Sequence, residues 1–91
     1  MYYILLYDVV DDYVNRRAPH REAHLKLVNE AHRRGELVMA GAFSEPLDGA
    51  ALVFRADGPS IPSSFAENDP YVRAGLVTNW RVRGWNVVIG G

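Results

Sequence analysis

The chain has no cysteine among its 91 residues. Disulfide bonds, thiolate metal sites and catalysis by a cysteine nucleophile are therefore excluded. Long hydrophobic runs are also missing, since the first apolar run, residues 2–7, is far too short to cross a bilayer. This run lacks the basic flank and the small-residue cleavage site of a signal peptide. These absences predict a cytoplasmic protein that does not enter a membrane.

Excess charge of either sign is missing as well. Ten Lys and Arg residues stand against eleven Asp and Glu residues, and the arginines are scattered. Binding to nucleic acid or to an anionic membrane therefore has no electrostatic support. What the chain does have is apolar surface, with 48% hydrophobic and 11% aromatic residues. A single domain over residues 1–91 has a thin core, so part of this surface is expected to be covered by a second copy in a homodimer.

The first half of the chain predicts a strand and then a long helix. Residues 2–7 are apolar on both faces, which is typical of a strand covered on two sides. Pro19 suits the first turn of a helix, and Gly35 ends it. The side chains spaced to form one buried stripe on this helix are His24, Leu27, Val28 and Ala31.

The second half predicts a hairpin, a second helical region and a last strand. Residues 36–43 and 50–55 predict two strands, with Asp48-Gly49 at the tip of the turn between them. A short helix over residues 62–68 and a further helical turn after Asp69 lead into a strand over residues 78–85, which the apolar tail could extend. On the strand over residues 36–43, one face is predicted to carry Leu37, Met39, Gly41 and Phe43.

The order β-α-β-β-α-β is the split βαβ pattern of a ferredoxin-like α+β sheet with its helices on one face. The other face of such a sheet must also be covered. The apolar strands predict that a second copy of the chain covers it.

His24 lies within the buried stripe, where a leucine would pack better. The plainer interpretation is a buried histidine that hydrogen-bonds a backbone carbonyl. The functional interpretation is a general acid or base, because imidazole titrates near neutral pH.

Asp69 directly precedes Pro70, as a helix N-cap does: its carboxylate accepts backbone N–H bonds and proline takes the first helical position. Capping and catalysis are compatible, because a rigidly held carboxylate can orient an imidazole and stabilise its charged form. We expect His24 and Asp69 to be the catalytic pair, if the chain is an enzyme.

Metal and cofactor sites are not expected. His20 and His24 are four residues apart, but Glu22 is not where the zinc-protease helix motif requires a glutamate. No glycine-rich phosphate loop is present. Ser44 has no histidine at a diagnostic spacing, so a serine nucleophile has no support.

Several further residues are candidates for contact with a ligand. The arginines at the start of the long helix are either solvated or kept for an anion, because positive charge there opposes the helix dipole. Tyr7 ends the first strand, where core packing is the simpler role and contact with the site the other. Gly41 permits the close approach of either the helix or a ligand. The arginines concerned are Arg16, Arg17 and Arg21.

Three segments carry a resemblance to a known family: Arg21-x-Ala23-His24-Leu25, His32-x-x-Gly35-x-Leu37-x-x-Ala40-Gly41 and Asp69-Pro70-Tyr71-Val72-x-Ala74-Gly75. In this order and spacing the chain resembles the YciI-like (YCII-related) domain over nearly its whole length. The Asp-Pro-Tyr segment is the most specific part. Ala42 departs from the family, which usually has proline there, and this change reshapes the expected pocket wall.

The resemblance implies a dimeric ferredoxin-like α/β barrel with the helix histidine, here His24, near the aspartate, here Asp69. Arg17 and Arg21 stand where similar proteins often carry arginine, and Tyr71 belongs to the Asp-Pro-Tyr segment. One group of relatives eliminates chloride from a chlorinated hydroxyhydroquinone without a cofactor.

Three functions follow as hypotheses. The first is a cofactor-independent lyase, isomerase or dehalogenase acting on a small aromatic or carbonyl compound, in which arginine or tyrosine holds the substrate. The second is a dimeric module that binds a small ligand or a partner without catalysis. The third is a domain in which His24 and Asp69 are purely structural.

Overall fold

The computed structural model describes residues 1–91 and contains one antiparallel sheet with the strand order β2-β3-β1-β4. This order, with the helices packed on one face, confirms the predicted ferredoxin-like α+β fold. The elements in chain order are β1 (Tyr2–Val9), α1 (Tyr13–Arg16), a 3-10 turn (Ala18–His20), α2 (Arg21–Arg33), β2 (Leu37–Ala42), β3 (Gly49–Arg55), α3 (Ser60–Asn68), α4 (Pro70–Arg73) and β4 (Val77–Trp85).

The core lies between the sheet and the helices. Alternate residues of β1 and their partners on β3 are buried on the helix side, while Ile4 and Leu6 on the other side are half-buried. The apolar pattern of β1 predicted that both of its faces are covered. The helices of the chain cover one of these faces. The buried residues of these two strands are Tyr3, Leu5, Tyr7, Ala50, Leu52 and Phe54.

The long helix forms as predicted. In α2, Ala31 is buried, and His24, Leu27 and Val28 are half-buried. The helix ends before Gly35, whose φ of +80° is the left-handed conformation that glycine adopts easily. This stripe places His24 on the side of the helix that faces the sheet.

The prediction that Leu37, Met39 and Gly41 share one face of β2 is wrong. Leu37 pairs with Phe54 and Met39 with Val53, so Val38 is an extra, bulged residue. The bulge reverses the alternation of side chains beyond it. Met39, and Gly41 after it, therefore point away from the helices instead of sharing a face with Leu37.

The predicted hairpin of β2 and β3 forms, but its tip is not at Asp48-Gly49. The chain bends at Glu45 and Pro46, and Gly49 is already part of β3. A Cβ atom on Gly49 would lie 2.5 Å from the carbonyl oxygen of Tyr7. The glycine therefore allows β3 to approach β1 closely, and it does not form the turn.

The sheet face opposite the helices, here called the open face, carries large apolar side chains. Met39 is 64% exposed and Trp85 is 46% exposed. Ile4 lies in the same row as Met39, and Leu6 lies two residues further along β1, with Arg83 and Arg81 beside them on β4. The tail after β4 forms no strand, so it does not extend the sheet. None of the helices combines the length and the hydropathy that a bilayer crossing requires.

Candidate active site

A cavity of about 270 Å³ lies on the helix side of the sheet, between α2 and the strands β2 and β3. Its floor is apolar and comes mainly from alanine and leucine side chains of these two strands. All the residues expected to hold a substrate line it, and so does the expected proton carrier; they are Tyr7, Arg17, Arg21, His24, Gly41 and Tyr71. Asp69 lies directly behind this wall.

Asp69 is fully buried at the junction between α3 and α4. Its backbone is extended, and its Oδ1 accepts the N–H of Tyr71 at 2.9 Å, with Pro70 in the first helical position. The carboxylate is therefore the N-cap of α4 that the Asp-Pro pair predicted.

The same carboxylate reaches two other elements. His24 Nδ1 on α2 lies 2.8 Å from Oδ1, and the Tyr7 hydroxyl on β1 donates to Oδ2 at 2.7 Å. The sequence places these residues 45 and 62 positions from Asp69. Asp69 therefore caps α4 and contacts His24 at the same time.

The pairing assigns the tautomer of His24. Because a carboxylate can only accept, Nδ1 carries a proton, and in the neutral imidazole Nε2 is the nitrogen with the free lone pair. His24 makes no other hydrogen bond, and its side chain is 14% exposed at the cavity. The interpretation of His24 as a histidine bonded to a backbone carbonyl is wrong here, and it is His32 that has this contact, at 2.8 Å from the oxygen of Leu37.

Tyr71 fixes the plane of the imidazole. The two rings stack with centroids 3.8 Å apart and planes 11° from parallel. Since the backbone N–H of Tyr71 is bound to Asp69, one carboxylate holds both the imidazole and the residue that stacks on it. This leaves His24 little freedom to rotate.

Tyr7 has a larger part in the site than core packing. It is 2% exposed, and burial first, then the negative charge of Asp69, raises the pKa of its phenol far above the ordinary value. The phenol therefore stays protonated and remains a donor to Asp69 over the physiological pH range.

This shift predicts an alkaline loss of stability. Because the pKa of Tyr7 is higher in the folded than in the unfolded protein, its contribution is complete below about pH 10 and falls as the pH rises further. We expect the free energy of unfolding to fall by up to about 1.4 kcal/mol per pH unit for this group. Urea unfolding at pH 8, 10 and 11 measures the slope, and Tyr7→Phe should make it shallower. Equal slopes in both proteins would contradict the assignment.

The cationic side of the cavity comes from Arg17 and Arg21. The Arg17 guanidinium lies 5.1 Å from the ring centroid of Tyr13, and neither arginine forms an ion pair with a carboxylate of the chain. Tyr13 also lines the cavity, and sequence analysis missed it because α1 has no periodic pattern. Burial raises the pKa of Tyr13, although the nearby Arg17 acts in the opposite direction.

The other sequence candidates lie elsewhere or have a different role. A Cβ on Gly41 would lie on the sheet face away from the helices and would meet no protein atom within 4 Å, so packing within the chain does not require glycine at this position. His20 and Ser44 do not line the cavity. No group of three His, Cys, Asp or Glu side chains lies close enough to hold a metal ion.

Comparisons with known proteins agree with this fold. The family model of the YCII-related domain matches residues 1–86. Among solved structures, the chain is similar to 5-chloro-2-hydroxyhydroquinone dehydrochlorinase (TftG) from Burkholderia phenoliruptrix AC1100, in complex with 2,5-dihydroxybenzoquinone. The match has a TM-score of 0.78 and 21% sequence identity over 94% of each chain. No curated protein matches the chain significantly.

Proposed function

This chain belongs to the YCII-related domain family, and from that premise we propose that it is a small cofactor-independent enzyme that transfers protons on an oxygenated aromatic or carbonyl compound. The observation that carries the proposal is the 2.8 Å contact between His24 Nδ1 and buried Asp69, at the wall of a cavity. An imidazole oriented by a carboxylate is an arrangement suited to general acid–base chemistry.

In the proposed reaction, Nε2 of His24 takes a proton from the substrate. The C–H or O–H bond breaks, and its electron pair stays on the substrate and is delocalised toward an oxygen. Asp69 keeps the second imidazole proton on Nδ1 and stabilises the imidazolium. Return of the proton to another atom gives isomerisation. In an elimination, a leaving group departs with its bonding electrons and the proton passes to solvent.

The cavity indicates the kind of substrate. Its volume of about 270 Å³ is below the range of roughly 300–1,000 Å³ that is typical of drug-sized ligands, so a single-ring compound suits it. The apolar floor can contact the face of a ring. Arg17 and Arg21, without carboxylate partners, can bind an acidic oxygen. We therefore propose a small planar compound with a phenolate, enolate or carboxylate group.

The similar solved structure supports this class of compound. TftG is named as a dehydrochlorinase of a hydroxyhydroquinone and is bound to a dihydroxybenzoquinone. By analogy, elimination from a ring with several oxygens is one reaction that the His24–Asp69 pair could perform.

The proposal is tested by proton transfer in D2O. We expect the protein to exchange ring or α-carbon protons of hydroxyquinols, hydroxyquinones or cyclic diketones for deuterium, or to release halide from halogenated members, in the presence of EDTA. Proton NMR and a halide electrode measure these products. A requirement for an added metal or nucleotide, or the absence of turnover across such a panel, would contradict the proposal.

An alternative function is a module that binds the same class of ligand without converting it. The apolar floor and the free arginines favour this alternative as much as catalysis, because neither feature requires proton transfer. What distinguishes the two is whether a variant of His24 keeps ligand affinity while losing turnover.

We also propose that a second copy of the chain covers the open face. Met39 and Trp85 are 64% and 46% exposed there, and burial of such side chains stabilises association. Sedimentation should give a mass near twice 10.2 kDa, and Leu6→Glu, in the middle of this face, should give a monomer. A wild-type protein that sediments as a monomer at micromolar concentration would contradict this proposal.

A further inference from the structure

The hydroxyl of Tyr71 is a buried polar group without a partner. Tyr71 is 1% exposed, and its oxygen is the one buried side-chain nitrogen or oxygen in the chain that makes no hydrogen bond. Buried hydroxyls are nearly always paired, because an unpaired one loses its bonds to water and gains nothing in return. Because Tyr71 lines the cavity, a bound ligand can supply the missing partner.

The Tyr71 ring cannot rotate to find a partner within the protein. It stacks on His24 at 3.8 Å, packs at 82° against Tyr13 with centroids 5.6 Å apart, and its own N–H is bound to Asp69. The same ring lines the cavity beside His24. The phenol is therefore held in position beside the imidazole that would take the proton.

We propose that the Tyr71 hydroxyl donates a hydrogen bond to a ligand oxygen, and that the ligand therefore has a carbonyl or phenolic oxygen next to the reacting carbon. This inference rests on the proposed function and specifies its substrate. When Nε2 of His24 accepts the proton, the C–H bond breaks, its electron pair forms a C=C bond, and the carbonyl oxygen becomes an enolate. Tyr71 then donates to the atom that has gained negative charge, where a hydrogen bond strengthens most.

The Tyr71 hydroxyl is itself buried, so a ligand oxygen reaches it only if the surrounding side chains move. Tyr13 packs against the Tyr71 ring and lies on α1, a helix of four residues, with the Arg17 guanidinium over its ring. A short element held by few neighbours yields at lower cost than the sheet or α2. Of the elements around the cavity, α1 is therefore the one that moves most easily to admit a ligand oxygen to the Tyr71 hydroxyl.

The test compares Tyr71→Phe with Tyr3→Phe. Tyr3 is also a buried tyrosine of the core, but it does not line the cavity, and its hydroxyl contacts only the sulfur of Met1. The probe is 2,5-dihydroxybenzoquinone, and its binding is followed by calorimetry. We expect Tyr71→Phe to bind the probe about 10-fold more weakly and to unfold at the same or a higher urea concentration, since it removes an unpaired group. Tyr3→Phe should leave the affinity for the probe unchanged.

The possible outcomes separate this inference from the proposed function. Equal affinity of Tyr71→Phe and wild type would overturn the inference, while turnover by the wild type would still support the enzyme. A urea midpoint lowered more by Tyr71→Phe than by Tyr3→Phe would also overturn it, because the hydroxyl would then have a partner in the free protein. Failure of the wild type to bind the probe would overturn both the inference and the proposed class of substrate.

Discussion

Replacing Asp69 with alanine is expected to lower the free energy of unfolding by about 3–5 kcal/mol. The carboxylate is fully buried and accepts from the Tyr7 hydroxyl, the Tyr71 N–H and His24 Nδ1. Alanine would leave all three donors without a partner, remove the cap of α4 and create a cavity. Since small domains have a total stability of roughly 5–15 kcal/mol, this loss would bring the chain close to unfolding.

Urea denaturation followed by circular dichroism measures this loss. Asp57→Ala is the matched control, because Asp57 is exposed and its side chain makes no hydrogen bond or ion pair. Asp69→Asn should cost less than alanine, because its amide oxygen can still accept from Tyr71 and His24 while its amide nitrogen donates to Tyr7. A loss below about 1 kcal/mol in Asp69→Ala would show that the three hydrogen bonds do not stabilise the fold.

Replacing His24 with glutamine is expected to lower turnover by about 10²–10⁴-fold, which is the usual contribution of a general acid or base. The glutamine amide can still donate to Asp69, so the buried carboxylate keeps a partner and the fold should persist. It has no group that accepts a proton at neutral pH. The affinity for 2,5-dihydroxybenzoquinone should change little, because Arg17, Arg21 and the apolar floor remain.

Two further variants make this result specific. His32→Gln is the control, because His32 contacts the backbone of Leu37 and does not line the cavity, and we expect it to retain wild-type turnover. Asp69→Asn should keep the position of His24 but lose the charge that stabilises the imidazolium, so turnover falls although binding persists. Nitrogen-15 shifts of the His24 ring report which nitrogen carries the proton. Turnover of His24→Gln within threefold of wild type would favour the binding module.

The parts of the site that could be predicted from sequence are those that depend on residues close together in the chain. The spacing of apolar residues placed His24 on the inner side of α2, and the Asp-Pro pair marked Asp69 as a cap. Gly35 marked the end of the helix, because glycine easily adopts the left-handed φ that a helix end often requires, and the structure shows this φ at Gly35. Each of these features depends on residues within one or two turns of chain, so its physical cause is present in a short window.

The features that could not be predicted depend on distant partners. The bulge at Val38 exists only in the pairing of β2 with β3, and alternation within β2 alone predicted the opposite face for Met39. Gly49 is required by the nearby carbonyl of Tyr7, although Asp48-Gly49 has the composition of a hairpin turn. The hydrogen bond from Tyr7 to Asp69 spans 62 residues, so no local pattern could indicate it.

The single carboxylate that joins β1, α2 and α4 limits how this site can diverge. A change at Asp69 alters the cap, the tautomer of His24 and the partner of Tyr7 together. A change of substrate would therefore arise more easily at Arg17, Arg21, Ala40 and Ala42, which line the cavity but are not part of the buried core. Relatives would then keep the same type of reaction, while substitutions at the residues that line the cavity change which compound is bound.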